Sequence, residues 1–292
     1  MELELKRGGR TARVETLGGE LVSYRDERGL EYIWGGDPAY WPGRNPLLFP
    51  IVGMLKEGKI RFDGREYAME RHGFARRREF TPAARGEDWV RLELRESAET
   101  LALYPYSFRL AVEQRLTDTG FSTAVTVANP GEGPLPFCLG AHTGFRCPLE
   151  AGERFEDYEL VFPERESCPT LLLRDGLLDR PAALPCLEDT DTLPLDYRWF
   201  DALDTLIFEG LRSRSVPLRS RKSGRGVRVS FDGFPMLAFW TMPGKKAPYL
   251  CIEPWHGCSA GTGEGEEFTS KAHCIVLAPG ESRTLAYRAD TL

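Results

Sequence analysis

Apolar and polar residues alternate with a period of two along most of this chain. Val90, Leu92 and Leu94 alternate with Arg91, Glu93 and Arg95. The pattern returns at Phe108, Leu110 and Val112, at Phe121, Thr123, Val125 and Val127, and at Val227, Val229 and Phe231. Side chains of an extended strand point to opposite faces in turn, so these runs predict half-buried antiparallel strands. Met1-Glu2-Leu3-Glu4-Leu5-Lys6-Arg7 reads as a first strand. Asp63-Gly64, between Ile60-Arg61-Phe62 and Arg65-Glu66-Tyr67, predicts a tight hairpin. Thr119-Gly120, Asn129-Pro130-Gly131, Asp175-Gly176 and Pro279-Gly280 punctuate later strands.

A helical period is nearly absent. Residues 95–103 (RESAETLAL) predict one helical turn, and 21 prolines and 30 glycines oppose longer helices. The expected fold class is all-β: one large antiparallel β-sandwich or barrel-like assembly. No linker, composition break or short repeat divides the chain, so residues 1–292 are expected to form a single domain. From Cys168 to Asp204 the alternation loosens into Pro- and Leu-rich sequence with Glu188, Asp189 and Asp191. That segment predicts a long surface connection leading to Arg198-Trp199-Phe200-Asp201.

With 292 residues and 41% hydrophobic content, the chain can bury a substantial core without disulfides or metals. A net charge of −6 argues against nucleic-acid or membrane-surface partners. The basic runs Arg76-Arg77-Arg78 and Arg219 to Arg228 read as solvated surface. Nothing approaches the ~18 to 20 uninterrupted apolar residues of a membrane span, and the N-terminus lacks a signal peptide's apolar core. The 7 cysteines are scattered, with no Cys-x-x-Cys spacing. This suggests reduced thiols in the cytosol and neither a disulfide framework nor a metal site. Cys251 reads as a packed core thiol.

Three segments set a proton-transferring group in a rigid apolar frame. They are Cys251-Ile252-Glu253-Pro254-Trp255-His256-Gly257, Gly140-Ala141-His142-Thr143-Gly144-Phe145 and Arg71-His72-Gly73-Phe74-Ala75-Arg76. The chain has only 4 histidines, and His72 and His142 are two of them. A carboxylate and imidazoles can move protons near neutral pH. Glu253 follows the strand-like run Tyr249 to Ile252 and precedes a proline that should end strand pairing. Against Ile252 and Trp255 its pKa would rise, as suits a general base, although a salt-bridged glutamate at a sheet rim fits the same residues. Each histidine alone reads more readily as a satisfied core or surface group than as a catalyst. The small residues around His142 leave room for a ligand over its ring.

Asn45-Pro46-Leu47-Leu48-Phe49-Pro50-Ile51-Val52-Gly53, His72-Gly73-Phe74-Ala75-Arg76, Gly140-Ala141-His142 and Cys251-Ile252-Glu253-Pro254-Trp255 occur in this order in one known family. Together with Tyr32-Ile33-Trp34-Gly35-Gly36-Asp37 and Trp41, they make the chain resemble the aldose 1-epimerase (galactose mutarotase) superfamily, closest to its LacX-like bacterial branch. The resemblance implies a large sandwich with an open cleft across one sheet. It also implies Glu253 as general base, His142 as general acid, His72 as a second histidine that binds the sugar, and Asp204 as an acceptor for sugar hydroxyls. Trp34, Trp41 and Trp255 are candidate flat faces for the sugar, or core packing.

There are two departures from the family pattern. Gly53-Met54-Leu55 stands where many relatives carry a sugar-binding arginine, which leaves Arg44 or Arg76 as candidates to replace it. Thr143 stands where a proline usually follows the acid histidine. The expected activity is interconversion of α and β anomers of an aldose without a cofactor. The alternatives are a hexose-6-phosphate 1-epimerase, with Arg44, Arg71, Arg76 and Arg77 as possible phosphate donors, or a non-catalytic sugar-binding or sensing protein. A glycosidase fits less well, because no second carboxylate matches the setting of Glu253. The expected partner is a small-molecule sugar, and the chain is expected to be a cytoplasmic monomer or homodimer.

Overall fold

The computed structural model describes residues 1–292. The predicted alternation becomes strand almost everywhere: Trp89–Arg95, Arg109–Leu116, Gly120–Ala128 and Gly226–Ser230 are strands whose apolar positions are the buried ones. The first strand, Glu2–Arg7, opens a separate three-stranded sheet with Arg10–Glu15 and Glu20–Arg25. The Asp63-Gly64 turn joins Lys59–Phe62 to Arg65–Ala68, and the one predicted helical turn is Ala98–Leu101, capped by Ser97.

Apart from a small pair, Leu135–Phe137 with Ile275–Leu277, the remaining strands form one antiparallel β-sandwich. One half runs in the order Leu47–Leu48, Leu139–Ala141, Tyr249–His256, Met236–Trp240 and Thr205–Glu209. The long strand Tyr158–Arg174 pairs with Thr205–Glu209 at Leu171 and with Ser215–Ser220 at its other end. Through it the sheet continues into Gly226–Ser230, Ser282–Thr291, Gly120–Ala128, Arg109–Leu116, Trp89–Arg95 and Thr81–Arg85. Both halves close on one contiguous core of 73 buried residues, so the apolar faces of the two halves are buried against each other. No helix is long and apolar enough to cross a membrane.

Residues 168–204 lie largely at the surface, but as regular paired sheet and not as the loose connection that their composition suggests. Tyr158–Arg174 and Leu177–Pro194 form a long antiparallel hairpin turning at Asp175-Gly176, where φ is 52° and 78°. A helix, Tyr197–Leu203, follows, capped by the Asp196 side chain. The hairpin's register shifts repeatedly between Val161 and Leu172, and each shift breaks the period of two. The helix is too short to show a helical period. Pro254 likewise does not end its strand, since Tyr249–His256 runs through it.

Candidate active site

The cleft lies on the first half of the sandwich, and strand register builds its centre. Leu139–Ala141 pairs Gly140 with Trp255, and Thr143–Arg146 pairs Thr143 with Ile252. The two short strands share one register across the Tyr249–His256 strand, interrupted only between Gly140 and Thr143. His142 therefore stands directly opposite Glu253, and opposed residues in an antiparallel pair project from the same face. The result is a His142 Nε2 to Glu253 Oε2 separation of 3.4 Å. Pro254 is tolerated because it sits at this interruption, where the neighbouring ladder is already broken.

The same alternation brings further groups to the cleft. Met236–Trp240 pairs Ala238 with Glu253 and Trp240 with Cys251, and Thr205 pairs with Trp240 in turn. Trp41, Trp240, Trp255, Met242 and Leu173 line a cavity of about 280 Å³ together with His72, His142, Glu253, Arg71, Arg76, Asp204 and Thr205. Such a volume lies just below the roughly 300 Å³ at which pockets for drug-sized ligands begin. The Trp41 ring lies 4.8 Å from the His142 ring, and Trp240 meets the imidazole edge-on at 5.6 Å. The room left by the glycines beside His142 is occupied by tryptophan. A Cβ on Gly140 would come within 2.9 Å of Trp255, and one on Gly144 within 3.0 Å of Trp41.

His72 is fixed by the backbone of Gly53. Its N–H donates to the Gly53 carbonyl at 2.9 Å, and the Gly53 N–H donates to its Nδ1 at 3.1 Å. An accepting Nδ1 places the ring proton on Nε2. Burial, with His142, Arg76 and Arg71 close by, holds the His72 pKa well below 6.5, so the ring is neutral. Asp204 follows the Tyr197–Leu203 helix at φ 62°, ψ −62°, a costly conformation for a non-glycine residue, and its carboxylate accepts from Thr205 Oγ1 at 2.8 Å.

Burial keeps both central groups neutral. It pushes the Glu253 carboxyl well above 4.5, with Asp204 adding to the rise and the Trp255 indole and Arg71 opposing it. It lowers His142 to about 3. Glu253 is only 1% exposed and no lysine or arginine is paired with it, so it is not a salt-bridged glutamate at a rim. Glu253 Oε2, His142 Nδ1 and Trp255 Nε1 are buried without hydrogen-bond partners. Such orphaned donors and acceptors are costly, and they suit a site completed by a polar ligand.

The two neutral groups have opposite stability consequences. Because the folded pKa of Glu253 is raised, its contribution is present below about 4.5 and is lost as pH rises through the folded value. Because that of His142 is depressed, its contribution is present above 6.5 and is lost as pH falls toward about 3. Glu253→Gln is therefore expected to unfold at a higher temperature than the wild type in alkaline buffer, with the gap closing toward pH 4.5. Each 1 kcal/mol recovered raises Tm by roughly 2–4 °C. Thermal melts across pH check this, and equal Tm values at all pH would refute the neutral carboxyl.

The structure brings Glu253, His142, His72, Asp204, Arg76 and Trp255 to one cleft, but not Arg44. Arg44 donates to the Gly35 carbonyl at 3.1 Å and pairs with Glu15 at 3.4 Å, away from the cavity. Trp34 lies behind the wall, 4.8 Å from Tyr249, and donates to the Trp41 carbonyl. Thr143 faces the core, where it hydrogen-bonds Asn45 at 2.7 Å and Tyr287 at 3.0 Å, so it is a support beneath His142 and does not touch the cleft. Met54 carries its sulfur 2.8 Å from Arg71 Nη2, and that arginine lines the cavity. Trp240 escaped sequence reasoning, although the alternation Met236, Ala238, Trp240 already set it on one face. A larger cavity of about 580 Å³ beside Met69, Phe74 and Leu103 contains Arg77 and Arg78. These pair with Glu70 and Glu99, and the cavity holds no carboxyl–imidazole couple.

Comparison with known proteins gives a consistent picture. The aldose 1-epimerase family profile matches residues 1–289. The plasmid-encoded LacX protein of Lactococcus lactis subsp. lactis is 40% identical over 295 residues, with 98% of each chain covered. Among solved structures, a galactose mutarotase related enzyme from Lactobacillus acidophilus superposes with a TM-score of 0.95 at 26% identity, covering 100% of this chain and 97% of that one. A galactose mutarotase-like protein from Lactobacillus casei gives 0.94 at 27% identity, with 100% of both chains covered.

Proposed function

Because this chain belongs to the aldose 1-epimerase family, we propose that it interconverts the α and β anomers of an aldose by opening and closing the ring, with Glu253 and His142 as the proton-transfer pair. The observation that carries the reading is their placement: a buried carboxyl and a buried imidazole 3.4 Å apart on one face of a strand pair, at the floor of a cleft.

In the resting site the pair holds one transferable proton, on Glu253, with His142 neutral. Moving it to the imidazole yields a carboxylate and an imidazolium, the base and the acid the reaction needs. Glu253 then takes the proton of the anomeric hydroxyl as the C1–O5 bond breaks, and His142 delivers its proton to O5. The open aldehyde rotates about C1–C2, and closure returns each proton by the reverse transfers. A bound sugar donates hydroxyls to the carboxylate, which favours its charged form. His72 Nε2–H and Asp204 offer a donor and an acceptor to other hydroxyls, and the indoles give apolar faces to the C–H surface.

The test is anomer exchange of α-glucose, α-galactose and glucose 6-phosphate by NMR with purified protein. Acceleration of any of them supports the reading. Tight sugar binding with no acceleration would instead establish a binding protein on the same scaffold.

A phosphorylated aldose is favoured as a second reading by one observation. Arg71 and Arg76 line the cleft, and neither is paired with a carboxylate. Arg76 donates to the Arg71 carbonyl at 2.8 Å while its Nε is buried without a partner. Guanidinium groups of this kind suit phosphate oxygens. If the substrate carries phosphate, Arg76→Ala lowers kcat/KM for glucose 6-phosphate by roughly tenfold to a hundredfold, the equivalent of about 1.5–3 kcal/mol. It leaves glucose less affected, and inorganic phosphate competes with the wild type. Equal losses on both sugars would remove this reading.

A further inference from the structure

Cys251 shares the cleft-side face with Glu253, two residues earlier on the same strand, and its cross-strand neighbour is Gly144. It therefore lies diagonal to His142. One donor atom each from His142, Cys251 and Glu253 lie within 4.8 Å of one another, and all three residues are buried. Two ligands on one tetrahedral Zn²⁺, each about 2.0–2.1 Å from the metal, stand roughly 3.4 Å apart. His142 Nε2 and Glu253 Oε2 are already at 3.4 Å. Glu253 Oε2 has no hydrogen-bond partner to give up. The proton transfers above use two of the three groups and leave the Cys251 thiol without a chemical role.

We propose that this trio is a binding site for one thiophilic divalent cation, Zn²⁺ or its analogue Cd²⁺, held by His142, Cys251 and Glu253 with a fourth position open to the cleft. Nitrogen, sulfur and a single carboxylate suit these ions, whereas Mg²⁺ and Ca²⁺ demand oxygen-rich shells. The ion enters past His142, which with Glu253 lines the cavity, and draws on Cys251 behind the pair. On binding, the thiol proton and the proton shared by Glu253 and His142 pass to water. A cation so placed occupies both proton-transfer groups and inhibits anomer exchange reversibly. That consequence rests on the epimerase reading, but the binding itself does not.

The experiment is titration of purified, chelator-treated protein with Cd²⁺, followed by thiolate-to-metal charge-transfer absorption and by equilibrium dialysis. Wild type, Cys251→Ser and His142→Ala are compared after circular dichroism has shown each to be folded. The expected result is one Cd²⁺ per chain on the wild type, with a charge-transfer band that disappears in Cys251→Ser. Affinity should be at least tenfold weaker in both variants, and Zn²⁺ should stop anomer exchange in the wild type until a chelator is added. A band that persists in Cys251→Ser would place the metal on other thiols and overturn the proposal, as would folded wild type that takes up no stoichiometric Cd²⁺. If the wild type binds Cd²⁺ through Cys251 yet accelerates no sugar, the metal site stands and the epimerase reading falls.

Discussion

Glu253→Gln is expected to slow anomer exchange by a factor of about 10²–10⁴, the usual contribution of a general base, while the protein stays folded. The amide matches the carboxyl in shape, so the surrounding packing is undisturbed, and it removes a group whose burial is costly when charged. Activity falls and thermal stability in alkaline buffer rises, a combination that a merely structural glutamate would not show. The wild-type rate should follow a bell in pH, because the competent pair keeps one transferable proton. The acidic limb falls as a second proton binds, toward the value of about 3 to which burial lowers His142. The alkaline limb falls as the shared proton is lost at the raised value of Glu253. Two limbs of this kind belong to the coupled pair and not to either residue alone. Rates by polarimetry across pH check the shape, and full activity of folded Glu253→Gln would remove the assignment.

Gly73→Ala is expected to be severely destabilising, at about 3–5 kcal/mol. Gly73 has φ +70°, which costs an L-residue ~1–2 kcal/mol before any contact is counted. A Cβ there would lie 2.2 Å from the Phe49 carbonyl oxygen and 2.6 Å from its carbon. Both atoms are main chain, and that carbonyl already accepts from the N–H groups of Phe74 and Ala75 at 3.0 and 3.2 Å, so nothing soft can yield. Gly64→Ala provides the control, with φ +75° and nothing within 4 Å of its Cβ, and should cost only the backbone term. Urea unfolding of both variants measures the difference. Costs that match would mean that the segment around Phe49 moves freely. In Gly73→Ala the adjacent His72 also leaves its Gly53 anchor, so kcat/KM should drop in whatever protein remains folded.

Much of the fold was legible because its strands keep a strict alternation, as Trp89–Arg95 and Gly120–Ala128 do. The hairpin of Tyr158–Arg174 and Leu177–Pro194 was not, since its register shifts scramble the two faces that alternation relies on. At the site, sequence singled out Glu253, His142 and His72 as chemistry-bearing residues but said nothing of their adjacency. That adjacency comes from two strands whose common register appears only once they are paired. Arg44 illustrates the opposite limit. A free-looking arginine near a motif is engaged by Glu15, a partner distant in sequence that no local pattern reveals. Arg71 is the converse, an arginine that a methionine sulfur contacts on the cleft wall.

The tip of the long hairpin reaches back to the segment that follows the Glu253 strand. Leu178 donates to the Ala260 carbonyl at 2.9 Å and accepts from the Thr262 N–H at 3.0 Å, and Leu173 forms part of the cleft wall. One side of the opening is thus supplied by a projecting two-stranded arm, while the Glu253–His142 pair sits on strands inside the sheet. The rim of the opening and the buried carboxyl–imidazole pair are therefore mutable separately. Lengthening, trimming or exchanging the arm changes the rim of the opening without moving Glu253 and His142. Such modularity is a route by which one scaffold could diversify its clientele over evolution, and by which an engineer could redirect it.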